Sequence, residues 1–406
     1  MNKKTAVALA VGTVFATPAL AQMTSGSGVE IYGRLYPQVE YAKGTGATDP
    51  ADNHKGRFSV DTMNSRIGFR GRETLGGGLN AIWQIETRVR FDTGSGNVWA
   101  GGRDSFLGMS GGFGTVRLGN MDTIYKQYGA AVGSFFGISS GNFVSSSGVL
   151  SEIGFGGANG VGRGDTGFHI RAPNSIQYET PEFGGFQAGI QYSPDEAKGN
   201  PNRLPTRGGN VNAYLLSMGV KYEAGPVYAS LQHERHNDWF DLSSNALAAA
   251  GLSTTSGTLT GSKDQAWRAS GSFAVTPQHK LTGDLARMEW KDNGPGGSVE
   301  LKRTSWAVGW EARWGGPWRT ELTYTRANSG DCSTSIGIAC DTTGLDGRMW
   351  AAGVGYSLSK RTLIYGIAAK LTNGEFASFD NSPNGSFGAN PGEDVTRFAV
   401  GMSHSF

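Results

Sequence analysis

Long apolar runs are missing from this sequence. Beyond its first residues no segment approaches the ~18 consecutive apolar residues that a membrane-spanning helix requires, because glycine and charged residues interrupt every candidate. A helical membrane protein is excluded. Surplus charge is missing too: of 36 basic and 34 acidic residues, Lys3 and Lys4 belong to a removable leader, so the mature chain is formally neutral. Bulk charge therefore says nothing about selectivity, and it argues against a nucleic-acid partner, which needs a basic face. Cysteine is scarce, and the only two, Cys332 and Cys340, lie close together in a polar segment. In an oxidising compartment a disulfide closing that loop is expected, ahead of a metal site that would lack histidine or further cysteine nearby. Proline is sparse beside glycine, 14 residues against 64, with no collagen period. That ratio suits many tight turns.

What is present begins with Lys3 and Lys4, an apolar run from Ala6 to Ala16, Pro18 and then Ala19-Leu20-Ala21. This pattern describes a secretory signal peptide over residues 1–21, cleaved before Gln22, and leaves 22–406 as one domain outside the cytoplasm. Composition then allows a secreted soluble β-protein or an outer-membrane barrel, whose short alternating spans escape hydropathy.

The residues alternate. Val29, Ile31, Leu35, Val39 and Tyr41 share one face, with Glu30, Arg34, Gln38 and Glu40 on the other. Trp83, Ile85, Val89 and Phe91 oppose Gln84, Glu86, Arg88 and Arg90, and Val308 and Trp310 oppose Ser305, Glu311 and Arg313. A period of two with charge on one side only is a strand between two different solvents. About sixteen such strands are expected, joined alternately by short turns and by long polar loops at 43–56, 92–102, 120–173, 194–211, 237–264, 291–300, 329–346 and 373–394. That rhythm is an up-and-down antiparallel transmembrane β-barrel, all-β, with its turns at one rim and its loops at the other. Trp306, Trp310, Trp314, Trp318, Tyr324, Trp350, Tyr356, Tyr365 and Phe398 are read on the apolar face, where rings favour the membrane boundary. The last strand places Phe398, Val400, Met402, His404 and Phe406 together, opposite Arg397, Ala399, Gly401, Ser403 and Ser405.

Several segments resemble the general trimeric porins of the Gram-negative outer membrane, of β-proteobacterial and neisserial type. They are Val29 to Gly33, Ser65 to Glu86, Phe113 to Gly119, Asn174 to Tyr178, Pro181 to Phe186 and Gly401 to Phe406. Sixteen strands is a number already associated with porin channels. The resemblance implies a homotrimer, outer-membrane lipid and lipopolysaccharide as surroundings, no cofactor, and Phe406 as a C-terminal assembly signal. It also implies that the glycine- and serine-rich stretch 120–173 folds into the lumen as a constriction. Carried over by position, Arg66, Arg70, Arg103 and Arg171 form the basic side, while Asp122, Glu152 and Asp165 are the loop's acids. Parity supports Arg66 and Arg70, since Ile67 and Phe69 between and beside them must face lipid; Arg103 lies where parity is ambiguous. Small outward residues such as Gly108, Ser110 and Val116 are expected at the subunit contact.

Arginines facing carboxylates across a narrow throat set up a transverse field that focuses ions without binding them. The expectation is passive diffusion of small hydrophilic solutes and ions, with a mild anion preference from Arg66, Arg70, Arg88, Arg103 and Arg171. Each arginine has a plainer reading as a solvated lumen residue paired with a neighbour such as Glu86. Two rivals remain at this point. A barrel enzyme would need a nucleophile beside a histidine, and none of the six histidines has such spacing. His233 and His236, with Glu234 and Asp238, form a weak metal candidate expected to face external water. A substrate-specific channel would line its throat with aromatics, for which Tyr125, Tyr128, Phe135 and Phe136 are available.

Overall fold

A strand that is polar on one face and apolar on the other must separate two media, and closing many such strands into a cylinder removes every sheet edge. The computed structural model describes residues 28–92, 99–130, 142–155, 167–194, 214–237, 261–294, 297–335, 340–381 and 387–406. The expected leader 1–21 lies outside them, as do Asp165, Phe135, Phe136 and Asp238.

Strand β1 comprises Gly28–Leu35 and Gln38–Thr45, and β2 comprises Arg57–Asp61 and Arg66–Gly76. They are followed by β3 (Leu79–Val89), β4 (Trp99–Gly102 with Ser105–Gly111) and β5 (Gly114–Asp122). After an inward excursion come β6 (Arg171–Glu179), β7 (Phe186–Pro194), β8 (Tyr214–Ala224) and β9 (Val227–Asn237). The longest unbroken spans are β10 (Gly261–Ala274), β11 (His279–Gly294) and β12 (Gly297–Arg313). The set closes with β13 (Trp318–Ala327, extended by Asp331–Thr334), β14 (Gly347–Ser357), β15 (Thr362–Asn373) and β16 (Asp394–Ser405). Each span pairs antiparallel with the next, and β16 returns to β1 from Gln38↔Gly401 to Thr45↔Asp394. The result is a closed barrel of 16 strands.

Local chemistry explains the joints. At the β2–β3 turn Gly76, Gly77 and Gly78 take φ of 93°, 58° and 81°, a region costly for any residue with a Cβ. In β1 the break falls at Pro37, which has no N–H to donate, and the Tyr36 N–H before it donates instead to Ser65 Oγ at 2.8 Å. Where the barrel closes, Gly33 and Phe406 exchange both backbone hydrogen bonds at 3.1 Å.

The barrel is inverted relative to a soluble protein. Phe58 is 77% and Val400 70% exposed, and Val29, Ile31, Val39, Ile85 and Leu107 join them on the outside. Gln38, Glu40, Gln177, Gln191, Gln232 and Arg397 are buried inside. An apolar outer band this continuous belongs in lipid. Two expectations about facing are overturned. Tyr365 points inward, 4% exposed, and donates to Gln38 Oε1 at 3.1 Å. In β4 it is Leu107 and Met109 that face out, while Gly108 and Ser110 pair in register with Arg117 and Thr115 on the inner face. Large apolar groups outrank small ones for the lipid side, so of that trio only Val116, the register partner of Met109, lies outside.

The inside of β10 to β16 also departs from simple alternation. Met288, Trp290 and Leu301 point inward with Tyr125, Phe168 and Leu345 in one apolar cluster. Tyr36, Met349 and Leu371 join Phe143, Val149 and Phe379 in another. Both clusters exist because loop segments fold into the barrel and need apolar wall to pack on. Cys332 and Cys340 are disulfide-bonded, Cα to Cα 5.8 Å, and rest against the first cluster. Serine at both positions is expected to lower stability by about 2–3 kcal/mol through the loop entropy returned to the unfolded chain. The check is a fall in the temperature at which the unboiled protein loses its folded mobility on a gel.

Candidate pore constriction

Between β5 and β6 the chain turns inward. Helix α1 (Ile124–Ala130) buries Ile124, Tyr125 and Tyr128 against the inner faces of β7 to β10. The Tyr125 N–H donates to Ser217 Oγ at 2.9 Å, and the Tyr228 hydroxyl donates to the Tyr128 carbonyl at 2.6 Å. Burial and the neighbouring Glu179 carboxylate push the Tyr128 phenol above its ordinary value, so it stays a donor to Glu179 Oε1 at 3.2 Å. Helix α2 (Ser147–Leu150) lies against β12 to β14. Ahead of it, Asn142 donates to the Tyr36 hydroxyl at 3.1 Å and to Gln38 Oε1 at 2.8 Å. The described parts of the excursion thus rest on the inner faces of β7 to β10 and β12 to β14 and reach β1 through Asn142, and Tyr125 and Tyr128, 0% and 2% exposed, form no aromatic track.

Three arginines of that wall hold the inward segments. Arg268 Nε binds Asp284 Oδ1 at 2.7 Å while its Nη2 donates to the Gly129 carbonyl at 3.2 Å. The Arg303 guanidinium donates to three backbone carbonyls, those of Asn328 (2.8 Å), Leu345 (2.9 Å) and Ile153. Arg397 binds Glu40 and donates to Asn381 Oδ1 at 3.2 Å and to the Phe387 carbonyl at 3.1 Å. All three side chains are fully buried. Parity could place them inside, but nothing in the sequence marks them as clamps, because each also donates to a backbone carbonyl of a loop, and a carbonyl leaves no trace in residue type.

The opposite wall, β1 to β6, carries the other arginines. Arg34, Arg66 and Arg88 are register partners on three adjacent strands. Glu86 lies among them: Arg103 Nε donates to its Oε1, Arg66 Nε lies 3.4 Å from its Oε2, and the Tyr32 hydroxyl donates to it at 3.0 Å. Arg103 reaches the lumen because β4 breaks at Arg103 and Asp104, and its Nη1 donates to Asn64 Oδ1 at 2.8 Å. Arg70 makes a two-pronged pair with Glu30 at 2.8 and 2.9 Å.

Asp122 does not face Arg171 across the lumen. It ends β5 as the register partner of Arg171, whose Nη2 lies 2.7 Å from Asp122 Oδ1 and whose Nε donates to Asp104. Lys126 Nζ, 3.0 Å from Asp122 Oδ1, completes this mixed cluster. Glu152 lies against Gly167, at which an added Cβ would come within 2.6 Å of its carboxylate. Arg34, Asp104 and Lys126 join the site without being among the expected constriction residues: the alternation already puts Arg34 on the polar face, whereas Asp104 sits in an interruption that no period shows. His236 is not in external water but buried inside, its Nε2 3.0 Å from Glu234 Oε1, while His233 stacks on Trp267. Among the described residues no group of His, Cys, Asp and Glu is arranged to hold a metal ion.

Comparison with known proteins accords with this geometry. A family model described as Gram-negative porin matches residues 5–375. The chain is 31% identical to outer membrane porin protein 32 of Delftia acidovorans over the whole of both chains. It is 33% identical to the major outer membrane protein P.IB of Neisseria lactamica over 58% of this chain and 60% of that one. The solved anion-selective porin from Comamonas acidovorans superposes with a TM-score of 0.69 at 27% identity, covering 94% of this chain and all of that one.

Proposed function

The chain belongs to the Gram-negative porin family, is a channel of the outer membrane and not an enzyme, and from that premise we propose that its constriction is the arginine-lined side of β1 to β6 and prefers anions. The observation that carries this reading is the in-register row Arg34, Arg66 and Arg88, with Arg103 beside it around the one carboxylate of Glu86. Guanidinium groups on adjacent strands repel one another, and an anion passing through the throat relieves that repulsion. Low-dielectric walls focus the field into the aqueous path, so solutes are steered without being held. Arg70 with Glu30, and Arg171 with Asp104, Asp122 and Lys126, act as near-neutral flanks. Glu152, on the inward excursion, would tune the field from its side, and Asp165 is carried over as the other loop acid from the sequence alone. The solved anion-selective relative supports the sign.

Assembly as a homotrimer, cleavage of residues 1–21, Phe406 as the assembly signal and lipopolysaccharide as surrounding lipid are part of the same proposal, supported by family membership. Reversal potentials across a planar bilayer under a KCl gradient test the selectivity. The expected result is chloride permeating ahead of potassium; potassium preference would overturn the assignment. Liposome swelling with sugars of graded size is expected to fall with size alone, as befits a non-specific channel.

A further inference from the structure

The outer surface carries a second arginine pair that the channel does not use. On the lipid-facing side of β12 to β14, Trp306, Arg326 and Arg348 follow one another in register. Both arginines are exposed, and among the described residues neither has a carboxylate partner. Like charges directly opposite each other on one sheet face are destabilising. An anion between the two guanidinium groups would relieve that repulsion. One rung toward the short-turn rim, about 7 Å down the strands, Tyr324 and Trp350 are register partners with ring centroids 4.4 Å apart. Trp306 packs on Tyr324 at 5.3 Å. Aromatic rings of this kind mark the boundary between hydrocarbon and headgroup. The arginines lie just above it, at the long-loop end of β13 and β14, where the phosphates of the outer leaflet run.

We propose that Arg326 and Arg348 together bind a sugar-linked phosphate of the outer-leaflet glycolipid, with Trp306, Tyr324 and Trp350 receiving the sugar and the first part of its acyl chains. Guanidinium matches phosphate through paired N–H donors, and two forks on adjacent strands can grip one phosphate from both sides. The aromatic floor distinguishes a lipid from free phosphate, because an inorganic ion would leave those rings unused. This inference rests on the outer-membrane placement given above but not on the selectivity of the pore.

The test is native mass spectrometry of the full-length mature protein in detergent, titrated with diphosphoryl lipid A, with its dephosphorylated form and with inorganic phosphate. Diphosphoryl lipid A is expected to be retained, and its dephosphorylated form to bind at least about tenfold more weakly. The pair Arg326→Gln with Arg348→Gln is expected to lose about tenfold in affinity, and Arg326→Lys with Arg348→Lys less, since ammonium keeps the charge without the fork. Retention by the glutamine pair equal to wild type, or equal binding of the dephosphorylated lipid, would overturn the site. Displacement of the lipid by millimolar inorganic phosphate would overturn the lipid as its occupant. Bilayer recordings on the same samples are expected to show unchanged selectivity in both pairs. Absence of conductance in the wild type would count against the channel reading and leave lipid retention to be judged separately.

Discussion

Glutamate at both Arg66 and Arg88 is expected to reverse the sign of the zero-current potential under a salt gradient. The two residues are register partners on the inner wall, so the double variant changes the local charge of the throat by four units at one level. A unit charge ~8 Å from a permeating ion contributes about 0.5–2 kcal/mol for effective dielectrics between those of water and protein surface. Four units then shift the ratio of anion to cation permeability by well over tenfold at low salt. The shift should shrink toward molar salt, where the screening length falls to about 3 Å. Arg66 is also a partner of Glu86 at 3.4 Å, so its replacement by glutamate disturbs an existing pair as well as the field. Arg88→Glu alone avoids that contact and is expected to move the potential about half as far in the same direction. Heat-modifiable mobility of each variant confirms that the barrel is intact. An unchanged sign in the double variant would move the selectivity determinant away from the β2–β3 wall.

Methionine at Arg303 is expected to loosen the inward loop and destabilise the barrel. The guanidinium is fully buried and satisfies the carbonyls of Asn328, Ile153 and Leu345, which come from the end of β13, the inward excursion and an external loop. It also lies 5.1 Å from the Phe379 ring. Methionine keeps much of the volume but leaves the buried Ile153 and Leu345 carbonyls unmet, at about 1–3 kcal/mol each where no water replaces the donor, while the Asn328 carbonyl can turn to water. A total loss of about 3 kcal/mol or more should appear as earlier thermal loss of the folded form. With Ile153 released, single-channel currents should become noisier and less uniform in amplitude. Arg303→Lys restores one donor direction and should fall between the two. Quiet, wild-type currents in the methionine variant would show that Arg303 does not hold the constriction.

Strand identity was legible because it is a local property. A lipid-facing side chain and its lumen-facing neighbour differ in kind, and that difference repeats every second residue within most strands, from Val29 in β1 to Met402 in β16. Arg66 and Arg70 could be placed inside from Ile67 and Phe69 alone. Legibility failed where the period is broken or where both faces are apolar. The interruption at Arg103 and Asp104 hides a lumen acid, and Leu107 with Met109 had to be weighed against Gly108 and Ser110 before β4 had a phase. Tyr365 was misplaced for a related reason: an aromatic ring suits the boundary of a membrane and equally suits a core inside the barrel.

Alternation and turn rhythm thus determined, from the order of residues alone, that the chain closes into a membrane cylinder with a wet interior. Only the tertiary structure decided which interior charges matter. Arg268, Arg303 and Arg397 read no differently from Arg66 and Arg88 along the chain, yet the first two are taken up by an inward segment that folds back from more than a hundred residues away, and Arg397 by Glu40 and the loop just ahead of its own strand, while Arg66 and Arg88 stay on the β2–β3 wall. The physical reason is range: a strand's facing is set by its neighbours one and two residues away, whereas the partner of a buried guanidinium is chosen by where a loop more than a hundred residues distant comes to rest.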